Sequence, residues 1–171
     1  MRGMIQEREE LWWRREVAQK CSLGRYIRVK EHLREEWFLE EPRVWVAKWV
    51  GLRAGVTCLE VTRGRYRKPK VIRRERVCKW CESGSVEDED HFLGECERWS
   101  GVRSDIWNEM RMGDRDPVKK IEGVGGQERV DWMLRGGCSV RTRKLLLVRV
   151  GSWLFTRENM GEGSNSRRKD K

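Results

Sequence analysis

Long apolar runs are absent from this chain of 171 residues. The most apolar late stretch, LLLVRVGSWLF from Leu145, is interrupted by Arg149 and Gly151 and is too short to span a bilayer. The first residues, MRGMIQEREE, turn acidic before any apolar run develops, so they do not resemble a secretory signal. We therefore expect an intracellular protein, nuclear or cytoplasmic, that has no membrane partner.

Apolar residues are also in short supply overall, at 37% hydrophobic against 39% charged residues. A core built from so few apolar side chains needs the help of a metal ion or a partner. Ten tryptophans favour a larger core than this percentage indicates, because each can bury a large area. Disordered chains seldom carry so many aromatic residues, so the composition predicts a folded protein.

Charge of one sign predominates. The chain has 38 Lys and Arg residues against 28 Asp and Glu, a formal net charge of +10 and a pI of about 9.6. Such an excess favours partners that carry phosphates, which makes RNA or DNA the expected partner. The alternative is an ordinary solvated surface of mixed charge.

Local patterns predict a mainly α protein, with a small embedded CCHC zinc knuckle (a short β or turn piece plus a helix) and a disordered basic C-terminal tail. Residues 57–62 are β-prone. We expect N-terminal helices in 1–56, an arginine-rich segment with the zinc module in 57–112, C-terminal helices in 113–160 and the tail in 161–171. Apolar spacing and breakers predict the helices at 4–20, 26–39, 42–55, 87–110, 127–134 and 140–158.

Histidine is rare, with two in the chain, and one of them lies within a cluster of cysteines. The ligand-type residues follow the pattern C-x2-C, nine residues, His, four residues, Cys. Three thiolates and one imidazole form a closed tetrahedral set, which is typical of structural zinc. The pattern predicts one structural Zn²⁺ held by Cys78, Cys81, His91 and Cys96.

Two alternatives to zinc exist: buried cysteines beside an incidental histidine, and a redox pair formed by the C-x2-C. On a regular helix, residues five apart differ by roughly 140° in direction, so we expect local distortion near His91. Cys21, Cys58 and Cys138 lie far from the cluster and are expected to be core or free thiols. His32, between charged neighbours, is expected at the surface.

An acidic run, residues 87–90, precedes His91. Because the run is contiguous, its carboxylates point to different sides and are not expected to converge on one magnesium ion. We interpret it as negative charge at a helix start, where one acid can also orient His91.

Basic and aromatic side chains around the cysteines are candidates for nucleic-acid contacts. Trp80 lies between the first two ligands and is predicted either to stack on an unpaired base or to pack against the helix from His91. The candidate contacts are Arg63, Arg65, Tyr66, Arg67, Lys68, Lys70, Arg73, Arg74, Arg76 and Trp80.

Residues 49–103 resemble the zinc-binding region downstream of the polymerase in non-LTR retrotransposon reverse transcriptases. That family combines an "LR-G" segment and a "GR" segment with C-x2-C, an acidic stretch and His-x4-Cys. The resemblance implies a C-terminal piece of a retroelement protein that holds template RNA or target DNA near the polymerase. The matching residues are Leu52, Arg53, Gly55, Gly64, Arg65, Cys78, Cys81, Glu87, His91, Phe92, Leu93 and Cys96.

Catalytic patterns are missing. The chain has no Asp-Asp pair in a hydrophobic β-turn context, which the polymerase needs for magnesium, and no carboxylate spread typical of the element's endonuclease. We expect a non-enzymatic fragment or remnant with no small-molecule substrate. The alternative function is a structural module, in which zinc only stabilises the fold and the Trp-rich helices dock on the polymerase or another protein.

Overall fold

The computed structural model describes residues 2–20, 23–30, 32–33, 41–113, 118–119, 121, 123–136 and 139–162. This part of the chain is mainly helical, as predicted. Within it no helix is long and apolar enough to cross a membrane. The helices are α1 (Arg2–Ala18), α2 (Gly24–Val29), α3 (Arg43–Ala54), α4 (Glu60–Tyr66), α5 (Ser100–Gly113), α6 (Gly126–Arg135) and α7 (Val140–Glu162).

Helix boundaries follow local chemistry where caps are present. Pro42 immediately precedes α3, and Gly55 ends it with a left-handed φ of 66°. Gly136, at φ 100°, ends α6 in the same way. The Ser139 hydroxyl oxygen accepts a hydrogen bond from the Thr142 amide at 3.2 Å and so caps the start of α7. The predicted helices at 4–20, 42–55, 127–134 and 140–158 are therefore confirmed, with small shifts of their ends.

Residues 57–62 form no strand, contrary to the prediction. The second half of this piece lies in helix α4, with Val61 and Thr62 buried. The amide of Glu60 donates to the carboxylate of Glu87 at 2.9 Å, so a distant acidic residue satisfies the first turn of the helix. That tertiary contact overrides the β propensity of the local sequence.

The predicted continuous helix over 87–110 is also wrong. The chain forms a π-helical turn at His91–Glu95, leaves it at Cys96 (φ −55°, ψ 119°), and forms a 3₁₀ turn at Glu97–Trp99. Helix α5 begins only at Ser100. No strand occurs among the described residues, where the β structure is limited to a bridge between Val77 and Val86.

Two predictions fall partly or wholly outside the described residues: the helix at 26–39 beyond its first residues, and the disordered tail at 161–171 beyond Glu162. The division of the chain into four units stays a prediction.

Aromatic side chains join the cysteine-rich segment to the C-terminal helix. The ring centroids of Phe92 and Trp153 are 4.5 Å apart, and those of Trp99 and Trp153 are 6.0 Å apart. The three rings belong to a larger cluster of buried apolar residues that also includes Trp49 and Leu52 of α3. The segment that carries His91 and Cys96 is therefore anchored in the core.

A buried arginine fixes α3 against two other helices. Arg53 donates through Nε to the Leu134 carbonyl and through Nη2 to the Val29 carbonyl, both at 2.8 Å. These carbonyls lie at the ends of α6 and α2, where helices leave carbonyl groups unpaired. Arg53 thus acts within the fold and is not part of a basic surface.

Candidate metal centre

The first two cysteines lie on a tight chain reversal. The Cys78 amide donates to the Ser85 carbonyl at 2.8 Å, next to the bridge between Val77 and Val86. Gly84 turns the chain with a left-handed φ of 69°, a conformation that glycine adopts without a steric penalty. The reversal places Cys78 and Cys81 on one side of a short loop.

The π-helical turn brings His91 and Cys96 together. The Cys96 amide donates to the His91 carbonyl at 2.7 Å, a bond between residues five apart that is typical of a π turn. This widened turn compensates for the unfavourable direction of two side chains with that separation on an α-helix. The distortion expected near His91 is confirmed.

The four predicted ligand atoms all lie within 4.8 Å of one another. Cys78 Sγ is 3.8 Å from Cys96 Sγ, and Cys81 Sγ is 3.3 Å from His91 Nε2. Ligands at about 2.3 Å (sulfur) and 2.0–2.1 Å (nitrogen) from a tetrahedral ion would be separated by roughly 3.5–3.8 Å. The Cys₃His group therefore fits a single metal ion. The predicted convergence of these residues is confirmed.

The three thiols differ in acidity. Burial raises the pKa of Cys81, but hydrogen bonds from the Ser83 hydroxyl and amide and from the other two cysteines outweigh burial and bring the pKa to about 6. Burial raises the pKa of Cys78, and burial with the nearby Cys78 charge raises the pKa of Cys96 to about 12. A bound cation favours all three thiolates, so metal binding is coupled to proton release.

Backbone and side-chain groups orient His91. Its amide donates to the Asp88 carboxylate at 3.1 Å, and its ring Nδ1 lies 3.8 Å from Glu95 Oε2. With Nε2 directed at Cys81, Nδ1 faces the carboxylate that follows in the π turn. The carboxylate beside the imidazole ring is therefore that of Glu95, whereas Asp88 of the acidic run holds the His91 backbone.

The acidic run contributes mostly to ion pairs. Glu87 accepts two hydrogen bonds of 2.7 Å from Arg157, and both side chains are 1% exposed. The other three carboxylates face two further arginines: Asp88 pairs with Arg73, whereas Glu89 and Asp90 both pair with Arg25. The carboxylates do not converge, as predicted. Asp88 also accepts from the His91 amide at the start of the π turn, which agrees with the interpretation as negative charge at a helix start.

Trp80 is half-buried and packs against the hydrophobic cluster. The guanidinium carbon of Arg157 lies 4.9 Å from the centroid of its ring, within the range of a cation–π interaction. The tryptophan between the first two ligands therefore contacts the same arginine that pairs with Glu87. Its predicted stacking on a base stays a prediction.

The predicted phosphate-binding side chains differ in their surroundings. Arg76 donates to the Val61 and Val71 carbonyls through three of its nitrogens, so it holds the backbone together. Arg67 pairs with Glu60 at 2.9 Å. Tyr66 is 71% exposed, and Arg63 is half-buried. Four of the predicted phosphate-binding residues are exposed and form no ion pair with the described part of the chain: Arg65, Lys68, Lys70 and Arg74.

Cys58 and the second histidine lie outside the cluster. Cys58 is half-buried, and burial is the main reason that its pKa is raised to about 11. His32 is exposed, as predicted. Cys21 and Cys138 lie outside the described residues.

Comparisons with known proteins identify no relative of this chain: no family model, no curated protein and no solved structure matches it.

Proposed function

We propose that this chain binds one structural zinc ion through Cys78, Cys81, His91 and Cys96 and acts as a nucleic-acid-binding module. The observation that carries the proposal is the convergence of three sulfur atoms and one imidazole nitrogen within 4.8 Å. Thiolate and imidazole are the ligands that zinc prefers, and four of them leave no position open for a substrate. The zinc ion supplies cross-linking of the fold and no catalysis.

The cysteine loop is linked to the basic segment by hydrogen bonds. The Glu87 amide donates to the Arg76 carbonyl at 2.9 Å, and the Val71 amide donates to the Gly64 carbonyl at 3.1 Å. With the three bonds of the Arg76 guanidinium, these contacts connect the metal loop, the 3₁₀ turn at Arg73–Glu75 and helix α4. A metal that holds the loop would therefore also hold the basic residues in place.

Exposed cations on this segment support nucleic-acid binding. Each contact between a basic side chain and a phosphate releases counterions, so affinity falls as salt rises. Among the residues that the structure describes, these four form no ion pair with an acid that would compete with phosphate: Arg65, Lys68, Lys70 and Arg74.

We also propose that the chain derives from the C-terminal region of a retroelement reverse transcriptase and has no catalytic activity of its own. The residues that carry the resemblance have definite structural tasks here, which supports it. Arg53 joins three helices, Gly55 ends α3, and Glu87 forms the buried ion pair. Gly64 lies so close to Arg76 that a methyl group would be 2.7 Å from Arg76 Cγ.

Salt-dependent binding tests the nucleic-acid proposal. The zinc-loaded chain is titrated with labelled RNA and DNA, single-stranded and duplex, at several salt concentrations. We expect the double variant Arg65→Gln/Arg74→Gln to bind about ten-fold more weakly, with a flatter salt dependence. The double variant Arg43→Gln/Arg141→Gln removes the same charge from exposed positions on α3 and α7 and is expected to bind like the parent. Equal losses of affinity in the two double variants would mean that net charge, and not the position of the cations, determines binding.

A structural module that docks on a protein is the second candidate, and the exposed apolar residues of α1 favour it. Leu11 is exposed, and Trp12 is 62% exposed. Exposed aromatic residues of this kind are typical of protein contacts. Absence of any salt-dependent binding to nucleic acid would leave this candidate in place.

A further inference from the structure

A shallow groove lies beside α4, on the side of the helix that carries Tyr66. It encloses about 510 Å³. That volume falls within the range of roughly 300–1,000 Å³ that is typical of pockets for small organic groups. Its lining residues are Val56, Thr57, Thr62, Arg63, Tyr66 and Arg67.

Hydrogen bonds fix the floor of this groove. The Thr62 hydroxyl donates to the Gly55 carbonyl at 3.2 Å and accepts from the Thr57 amide at 3.5 Å. The Thr57 hydroxyl accepts from the Leu59 amide at 3.3 Å. The threonine hydroxyls are thus used inside the protein, and the floor of the groove is mainly apolar. A fixed floor lowers the cost of ordering the site when a ligand binds.

The rim of the groove combines an exposed aromatic ring with positive charge. Tyr66 is exposed, and Arg63 and Arg67 line the groove beside it. No carboxylate lines the groove. Glu60, the acid that pairs with Arg67, is buried and also contacts Lys79 at 3.3 Å.

We propose that the groove holds one unpaired nucleobase of a single-stranded nucleic acid, stacked on Tyr66, with the flanking phosphates on Arg63 and on the exposed lysines that follow the helix. The inference rests on the proposed nucleic-acid function and adds its strand type. An apolar floor with an aromatic ring suits the flat face of a base, and basic side chains suit the phosphates on either side. A paired base in a duplex is stacked between its neighbours and cannot offer its face to the ring.

The occupant follows from charge. An apolar peptide segment would cover the floor but would leave Arg63 facing an uncharged chain. A nucleotide matches both parts of the groove. The exposed Lys68 and Lys70, which follow Arg67 in the chain, extend the positive surface beyond it for neighbouring phosphates. This continuity favours a strand over a free mononucleotide.

The test compares Tyr66→Ala with the parent on a labelled single strand of about 12 nucleotides and on the duplex of the same sequence. We expect Tyr66→Ala to weaken single-strand binding by about ten-fold, since stacking on one aromatic ring is worth that much. Duplex binding should change by less than about two-fold, because phosphate contacts dominate it. Tyr66→Phe retains the ring face and should bind the single strand like the parent.

Two controls make the outcome specific. Trp12→Ala removes an aromatic ring that is exposed to a similar extent, 62% against 71%, and should leave both affinities unchanged. A nucleoside monophosphate, added as a competitor, should displace the strand only weakly. A strand that carries 5-iodouridine should cross-link to Tyr66. Peptide mass spectrometry would locate the cross-link even if the change in affinity of Tyr66→Ala were small.

The results separate this inference from the function on which it rests. A parent protein that binds no nucleic acid overturns both. If the parent binds and Arg65→Gln/Arg74→Gln weakens it, but Tyr66→Ala does not, the nucleic-acid function stands and the base site is wrong. Equal losses on single strand and duplex, or full displacement by the monophosphate, also overturn the base site.

Discussion

The metal-ligand segment (residues 76–99) and the α4 segment (residues 56–75) are neighbours in the chain and both are highly charged, yet they use their charges in opposite ways. In the metal-ligand segment the carboxylates of residues 87–90 pair with arginines from other parts of the chain. Glu87 pairs with Arg157, and Asp88 pairs with Arg73. In the α4 segment several cations face solvent, including Arg65 and Lys68. One region uses charge to hold the fold, and the other presents charge to a partner.

Arginine shows the difference most clearly. Arg53 and Arg76 donate to carbonyl groups of the backbone, and Arg157 forms a buried ion pair. Arg65 and Arg74 lie at the surface. A net charge of +10 therefore overstates the basic surface, because part of the arginine content is structural. Substitutions in the first group should change stability, whereas substitutions in the second should change binding.

Loss of one metal ligand should have the largest effect. We expect Cys96→Ala to bind no zinc and to lose the structure of residues 76–99, since zinc binding contributes roughly 10–16 kcal/mol of apparent folding free energy in small zinc fingers. Cys58→Ala, which changes a cysteine outside the cluster, should retain one zinc ion. Zinc content and the near-UV circular dichroism of the tryptophans measure both. A normal near-UV spectrum for Cys96→Ala would contradict the structural role.

The buried ion pair should come next. Arg157→Met leaves the Glu87 carboxylate buried without its partner, and we expect the free energy of unfolding to fall by about 3–5 kcal/mol in urea titrations. The control is Glu109→Gln, which breaks the ion pair between Glu109 and Arg149. The Arg149 side chain is 46% exposed and the Glu109 side chain is 49% exposed. That change should cost less than about 1 kcal/mol. Similar losses in the two variants would mean that burial does not distinguish these pairs.

Two glycines in helices give the smallest contrast. A Cβ at Gly64 would lie 2.7 Å from Arg76 Cγ, and Arg76 cannot move away without giving up its carbonyl bonds. We expect Gly64→Ala to lower the free energy of unfolding by about 1–3 kcal/mol. Gly101→Ala, where a Cβ meets nothing within 4 Å, should raise it by about 0.5–1 kcal/mol. Thermal or urea unfolding of the two variants measures both changes. An unchanged free energy of unfolding for Gly64→Ala would contradict the steric argument.

Sequence reasoning predicts the metal centre better than its surroundings, for a physical reason. The four ligands lie within 19 positions, so their spacing alone limits their geometry. The helices with clear ends, such as α3 between Pro42 and Gly55, are also local features. The sequence carries these signals over a few residues.

Features that depend on distant contacts were not predictable from the sequence. Arg157 is 70 positions from Glu87, and nothing in the local pattern of α7 distinguishes it from a surface arginine. Helix α4 forms in a β-prone stretch because Glu87 satisfies its first turn. In each case the decisive partner comes from another part of the chain.

Direct metal analysis of the purified chain tests the central claim most directly. Elemental analysis together with a protein concentration measurement gives the identity and number of bound ions. We expect one zinc ion per chain, retained through dialysis and released by a strong chelator with loss of the near-UV signal. The claim would be contradicted by a folded chain that binds nucleic acid in a salt-dependent manner but contains no zinc and takes up none.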